Sequence, residues 1–196
     1  MKIFLMRHGE TDYNKARCFY GSVDVPINAH GKQQALQLRD IMADKNVSQI
    51  YTSSLQRTKE TARLVFDTDS VALSSLDEKG FGKWEGLTAD EIEQHYPNEW
   101  QAWLEAPFEI TPPDAEEFSH FQQRVWQVTD DLVDQHAYDS IAIVAHLGVL
   151  RLIYQRLIDR HAIFWDLDFP QGTVTCFDNS HSREWQTSTL NGKEES

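Results

Sequence analysis

The sequence predicts an α/β protein with a parallel or mixed central sheet. Two apolar runs, Ile3 to Met6 and Ser140 to Ala145, have the character of strands buried on both faces. Each stops abruptly at a histidine with a glycine close behind, Arg7-His8-Gly9 in one case and His146-Leu147-Gly148 in the other. Between the strand candidates lie segments whose apolar residues recur three and four apart, and that alternation is the pattern of helices layered on a sheet.

Taken in order, Pro26 and Asn28 mark a turn before a helix over His30 to Met42, with Ala35, Leu38 and Met42 on its buried face. Gln49 to Thr52 reads as a short strand. Ser53 and Ser54 follow, and either can cap a helix beginning near Leu55 that carries Leu55, Thr58, Ala62 and Val65 on one face. Val71 to Leu73 is a third short strand, and Asp77 to Leu87, rich in charge and glycine, reads as loop. Thr88 with Glu91 three residues on is a capping box, so a helix starts there and ends before Pro97. An amphipathic segment from Asn98 carries Trp100, Trp103 and Leu104, and the prolines at 107, 112 and 113 make 106–115 irregular. A long helix spans Glu117 to His136 with Phe121, Val125, Val128, Leu132 and Val133 as its stripe. Another covers Val149 to Leu157, Thr173 to Phe177 reads as a strand, and 185–190 adds an edge strand. A single domain over 1–190 is expected, with 88–115 as an inserted helical flap and 191–196 as a flexible tail.

The balance of 18 basic against 31 acidic residues gives a formal net charge of -13, which disfavours nucleic acid and anionic lipid as partners. An anionic small molecule can still bind where arginines line a pocket. Cys18 and Cys176 are too few for a disulfide framework or a four-cysteine metal site. The N-terminal apolar run is too short for a signal segment, and nothing approaches the roughly 20 apolar residues of a membrane helix, so a cytoplasmic protein is expected.

Ligands of open α/β sheets bind at the carboxyl ends of the strands. If the strands before His8, His146 and the Arg57 helix are neighbours, then Arg7, His8, Arg57 and His146 meet in one cleft. Two planar guanidinium forks and two imidazoles fit a tetrahedral dianion. A neutral imidazole is also a competent nucleophile near pH 7. It must present one ring nitrogen while the other is held by an acceptor such as a backbone carbonyl. No close histidine pair or His-Glu-x-x-His cluster marks a metal site, and no Gly-x-x-x-x-Gly-Lys loop marks a nucleotide site.

The segment Arg7-His8-Gly9-Glu10-Thr11-x-x-Asn14 resembles the signature of the histidine phosphatase, or phosphoglycerate mutase-like, superfamily. So do Gly21, Asp24, Pro26 and Gly31, the run Tyr51-Thr52-Ser53-Ser54-Leu55-x-Arg57-Thr58, the run Leu76-Asp77-Glu78-x-x-Phe81-Gly82-x-Trp84-Glu85-Gly86, and His146-Leu147-Gly148-Val149-Leu150-Arg151. The resemblance implies a three-layer sandwich with a mostly parallel central sheet. It implies a phosphomonoesterase that needs neither metal nor other cofactor, acting as a monomer or homodimer. His8 is then the nucleophile that becomes phosphohistidine, and Glu78 the general acid. Arg7, Asn14, Arg57 and His146 hold the phosphoryl group, His146 also taking part in catalysis, with the backbone of Leu147 as a further donor. Ser22, Trp84 and Glu116 are candidate substrate contacts.

Two departures bear on specificity. Leu147 stands where many relatives have glycine, and Pro112-Pro113-Asp114-Ala115-Glu116 replaces a glycine-rich loop. The run from Glu78 to Ile92 most resembles the α-ribazole-5'-phosphate phosphatases of cobalamin biosynthesis. A broad small-metabolite phosphatase or a mutase-like enzyme is the alternative. A non-catalytic phosphate-binding or protein-interaction domain is the third reading, and it gains if Leu147 closes the site.

Overall fold

A computed structural model describes residues 1–137, 139–182 and 184–190, so the expected tail at 191–196 lies outside the described residues. Six strands form one sheet in the order β3-β2-β4-β1-β5-β6. They are β1 (Lys2–Arg7), β2 (Gln49–Thr52), β3 (Val71–Ala72), β4 (Ser140–Ala145), β5 (Val174–Asp178) and β6 (Gln186–Leu190). The first four are mutually parallel along the sheet, while β5 runs antiparallel to β1, and β6 to β5.

Alternation along the strands sends successive side chains to opposite faces, and both faces are buried. Ile3, Leu5, Ile141 and Ile143 pack on one side under α6 (Phe118–Gln135) and α7 (Leu147–Leu157), with Phe121, Val125, Leu132, Val149 and Leu152. Phe4, Met6, Ala142 and Val144 pack on the other under α2 (Ala29–Met42) and α3 (Gln56–Phe66), with Ala35, Leu38, Ala62 and Val65. This is the expected three-layer sandwich, and it explains the unbroken apolar runs of β1 and β4. A third cluster, Trp84, Ile92 and Trp100, is the core of the flap formed by α4 (Ala89–His95) and α5 (Pro97–Glu105). Thr88 caps α4 with Glu91 in the reciprocal box the sequence predicted.

One element is added to the expected set and two local expectations are corrected. A four-residue helix, α1 (Asp12–Lys15), follows the first histidine, closed by its own capping box between Thr11 and Asn14. Neither serine caps α3: the N-cap is Leu55, Ser54 binds Asp77, and the Gln56 N–H is taken by the Asp24 carboxylate at 2.7 Å. That acceptor arrives from 32 residues away, where local sequence cannot reveal it. Finally, α7 begins at Leu147 rather than Val149, with His146 as its N-cap, so the first turn of the helix opens directly onto the site.

Candidate active site

The register of β1 against β4 builds the centre. Met6 pairs with Val144 and Arg7 with Ala145, so the two chains leave the sheet side by side as His8 and His146. Their ring centroids are 5.1 Å apart. The His8 N–H is still held by the Ala145 carbonyl at 3.0 Å, which extends the ladder to the catalytic position.

His8 is 3% exposed. Its Nδ1 lies 2.8 Å from the Gly9 carbonyl oxygen and must donate its proton there, because a carbonyl only accepts. Nε2 is therefore the nitrogen with a free lone pair. Burial, followed by the positive charges of Arg57 and Arg7, pushes the His8 pKa well below its ordinary value. The ring is neutral near pH 7. His146 is neutral for the same leading reason, burial, and then Arg57.

Arg57, in the first turn of α3, is fully buried. It donates to the carbonyls of Gly21 at 2.6 Å and Val23 at 2.9 Å, and its Nε donates to His146 Nδ1 at 3.3 Å. The proton of His146 then sits on Nε2 and is given to Ser53 Oγ at 2.8 Å. Gly21 is required where it stands, since a Cβ there would fall 1.7 Å from the Lys79 carbonyl oxygen. Arg7 has a buried Nε with no hydrogen-bond partner among the described residues. An unpartnered guanidinium donor on a residue that lines a cavity suits an anion.

A cavity of about 310 Å³ opens from this centre. Arg7, His8, Asn14, Arg57, Glu78, His146 and Leu147 all reach its wall. Asn14 Oδ1 accepts from Thr11 and from Gln171, which leaves the amide NH2 for the cavity. The Glu78 carboxylate accepts from the backbone N–H groups of Gly148 and Lys79, each at 3.0 Å. Leu147 stands in the wall, half-buried, without closing the space.

Three candidate contacts are not brought to the cavity. Trp84 is fully buried in the flap core against Trp100 and Phe19, so its indole serves packing. Ser22 gives both its N–H and its hydroxyl to Glu85, at 2.8 and 2.6 Å. Glu116 is gripped by both arms of the Arg124 fork at 2.7 and 2.8 Å.

The mouth supplies what sequence reasoning missed. Phe118, Phe121, Phe164 and Trp165 form an aromatic wall, and the cations Arg17, Lys79 and Arg151 stand among them. Arg151 was within reach of helical spacing, because it follows Leu147 by four residues on the same face of α7. No local signal marked Trp165, which lies in a short turn beyond α7. Among the described residues no group of three or more His, Cys, Asp or Glu is placed to hold a metal, and no helix is long and apolar enough to cross a membrane.

Parallel strands ending in a neutral imidazole, with the buried guanidinium of Arg57 and the half-buried one of Arg7 at the same cavity, define a phosphoryl-transfer enzyme. Residues 3–192 match the family described as "Histidine phosphatase superfamily (branch 1)". The chain is 31% identical over 182 residues to the adenosylcobalamin/α-ribazole phosphatase of Escherichia coli K12, covering 91% of this chain and 90% of that one. It is 26% identical over 161 residues to phosphoserine phosphatase 1 of Hydrogenobacter thermophilus, covering 81% and 76%. The crystal structure of the α-ribazole phosphatase from Shigella flexneri superposes with a TM-score of 0.88 at 30% identity, covering 97% of this chain and 96% of that one. The chain belongs to the histidine phosphatase superfamily, and it is a phosphoric monoester hydrolase.

Proposed function

We propose that the chain hydrolyses α-ribazole-5'-phosphate through a phosphohistidine at His8. The observation that carries the chemistry is the commitment of His8 Nδ1 to the Gly9 carbonyl, which leaves Nε2 as the free nitrogen of a ring that lines the cavity. In the first step Nε2 attacks phosphorus in line, the N–P bond forms, and the P–O bond to the alcohol breaks. Glu78, in its acid form, gives its proton to the departing oxygen. Glu78 is then a carboxylate and takes a proton from water, whose oxygen attacks phosphorus and returns His8 to its neutral state with release of phosphate. Arg7 and Arg57 stabilise the charge on the phosphoryl oxygens throughout, in place of a metal ion. Asn14 and the Leu147 N–H donate to the same oxygens. His146 exchanges its contact with Ser53 for one with the phosphoryl group.

The aromatic mouth supports the choice of ester. A planar nucleoside-like leaving group gains most from a wall of flat apolar rings, and the proteins named for that substrate are similar along nearly the whole chain. A second reading has its own support. Arg17, Lys79 and Arg151 line the mouth without an ion pair among the described residues, which favours an alcohol carrying a carboxylate, as in phosphoserine.

The test is kcat/KM for α-ribazole-5'-phosphate, phosphoserine, 3-phosphoglycerate and sugar phosphates, measured side by side with wild type and His8→Ala. A preference of ~100-fold or more for the first ester is expected, with no turnover and no acid-labile phosphoenzyme in the variant. Equal rates across the panel would overturn the assignment of the ester. Phosphoenzyme formation by the variant would overturn the nucleophile.

A further inference from the structure

We propose that Arg124 is a positioning residue for Glu78, the strut that fixes the acid-bearing loop against the first turn of α7. The inference rests on the reading of Glu78 as general acid. Arg124 does not line the cavity and touches no group assigned to phosphate, yet every guanidinium donor is committed. Nε and Nη2 form a fork on Glu116 at 2.7 and 2.8 Å. Nη1 donates to the carbonyls of Ser75 at 3.1 Å and Asp77 at 2.7 Å, and Nη2 reaches the carbonyl of Glu78 itself at 3.3 Å. Three of the four carbonyls from 75 to 78 are thus held by one side chain. Its Cζ lies 4.9 Å from the centre of the Phe121 ring, which anchors it to the core beside the cavity.

The other side of the acid is equally confined. Glu78 Oε2 takes the Gly148 N–H, and a Cβ at position 148 would lie 2.5 Å from Oε1. The Glu116 N–H bonds the Gly80 carbonyl at 3.1 Å, which ties the partner of Arg124 to the far end of the same loop. Glu78 is therefore set by a backbone tether on one side and a glycine floor on the other. Lysine cannot replace the tether, because a single ammonium does not reproduce a planar fork with five directed donors.

General acid catalysis contributes ~10²–10⁴-fold, and a misplacement of about 1 Å costs on the order of 10²-fold. The experiment measures kcat/KM, which reports the phosphorylation step alone, for 4-nitrophenyl phosphate and for an alkyl phosphate. The variants are Arg124→Met, Arg124→Lys, Glu116→Ala, Glu78→Gln and the double variant Arg124→Met/Glu78→Gln. The activated aryl ester needs no proton on leaving, so it also verifies that each variant is folded.

Arg124→Met is expected to slow the alkyl ester roughly 10–100-fold and the aryl ester less than about 3-fold, with Arg124→Lys close behind. Glu116→Ala, which removes only the fork, should shift the ratio in the same direction. In the Glu78→Gln background, Arg124→Met should add less than about 3-fold. If Glu78→Gln discriminates between the esters while Arg124→Met and Glu116→Ala slow both equally, Arg124 is merely structural and the proposal is overturned. If Glu78→Gln itself does not discriminate, the acid assignment fails first and the proposal falls with it.

Discussion

Acidification should unfold this protein for a reason located in its active site. His8 and His146 are both buried neutral, with pKa values pushed well down by burial and then by Arg57. In the unfolded chain each imidazole regains a pKa of roughly 6.5 and binds a proton that the fold refuses. The stabilisation is complete above that value and is lost as pH falls below it, because the unfolded state then holds more protons. The slope approaches about 1.4 kcal/mol per pH unit for each ring. Between pH 7 and pH 5 a ring that stays unprotonated in the fold accounts for at most about 2 kcal/mol, so the pair accounts for at most about 4 kcal/mol. Against a total stability of ~5–15 kcal/mol that is a large share. The assay is urea denaturation at a series of pH values in that interval, for wild type and for His8→Asn/His146→Asn. The other histidines and all carboxylates are common to both proteins, so their titrations cancel in the difference. Wild type should lose more stability than the double variant across the interval, by up to about 4 kcal/mol. Parallel stability curves would refute the claim that the rings are neutral in the fold.

Two further outcomes are expected. Gly21→Ala drives a methyl group against the Lys79 carbonyl and moves the backbone that accepts Arg57, so thermal unfolding should show a loss of about 1–3 kcal/mol together with a fall in kcat. Trp165→Ala removes a half-exposed ring of the mouth that stacks on Phe108 at 5.6 Å. It should raise KM about 10-fold for esters of aromatic alcohols and leave glycerol phosphate within about 2-fold, as steady-state kinetics on both substrates would show.

The sheet and its histidines were legible because a strand buried on both faces must be apolar at every position, so its end is sharp in the sequence. Arg7-His8 and His146 needed only one more fact, the in-register pairing of β1 with β4, to become neighbours. Arg57 was legible as a helix-end arginine. Its complete burial was not, because its carbonyl partners come from the loop at 21–23.

The failures share a cause of a different kind. Trp84, Ser22 and Glu116 are residue types that serve equally well in a pocket or in a scaffold, and their fate was decided by partners no local pattern names. Glu85 claims the N–H groups of Ser22, Val23 and Phe81, and the Ser22 hydroxyl. Burial alone would raise the Glu85 pKa, but those bonds outweigh it and hold the carboxyl below its usual range, so the charge needed to organise the loop is retained. Arg124 claims Glu116 in the same way, and a loop lacking the glycines of its relatives is thereby held in a fixed path. Acidic residues around this site therefore divide by what donates to them. Glu85 takes four donors and Glu116 takes the charged fork of Arg124, and both order loops. Glu78 receives only two backbone N–H groups and keeps lone pairs for a proton in transit. The number of donors on Glu85 and the charged fork on Glu116 separate these supports from the acid, and both exist only once the chain has folded.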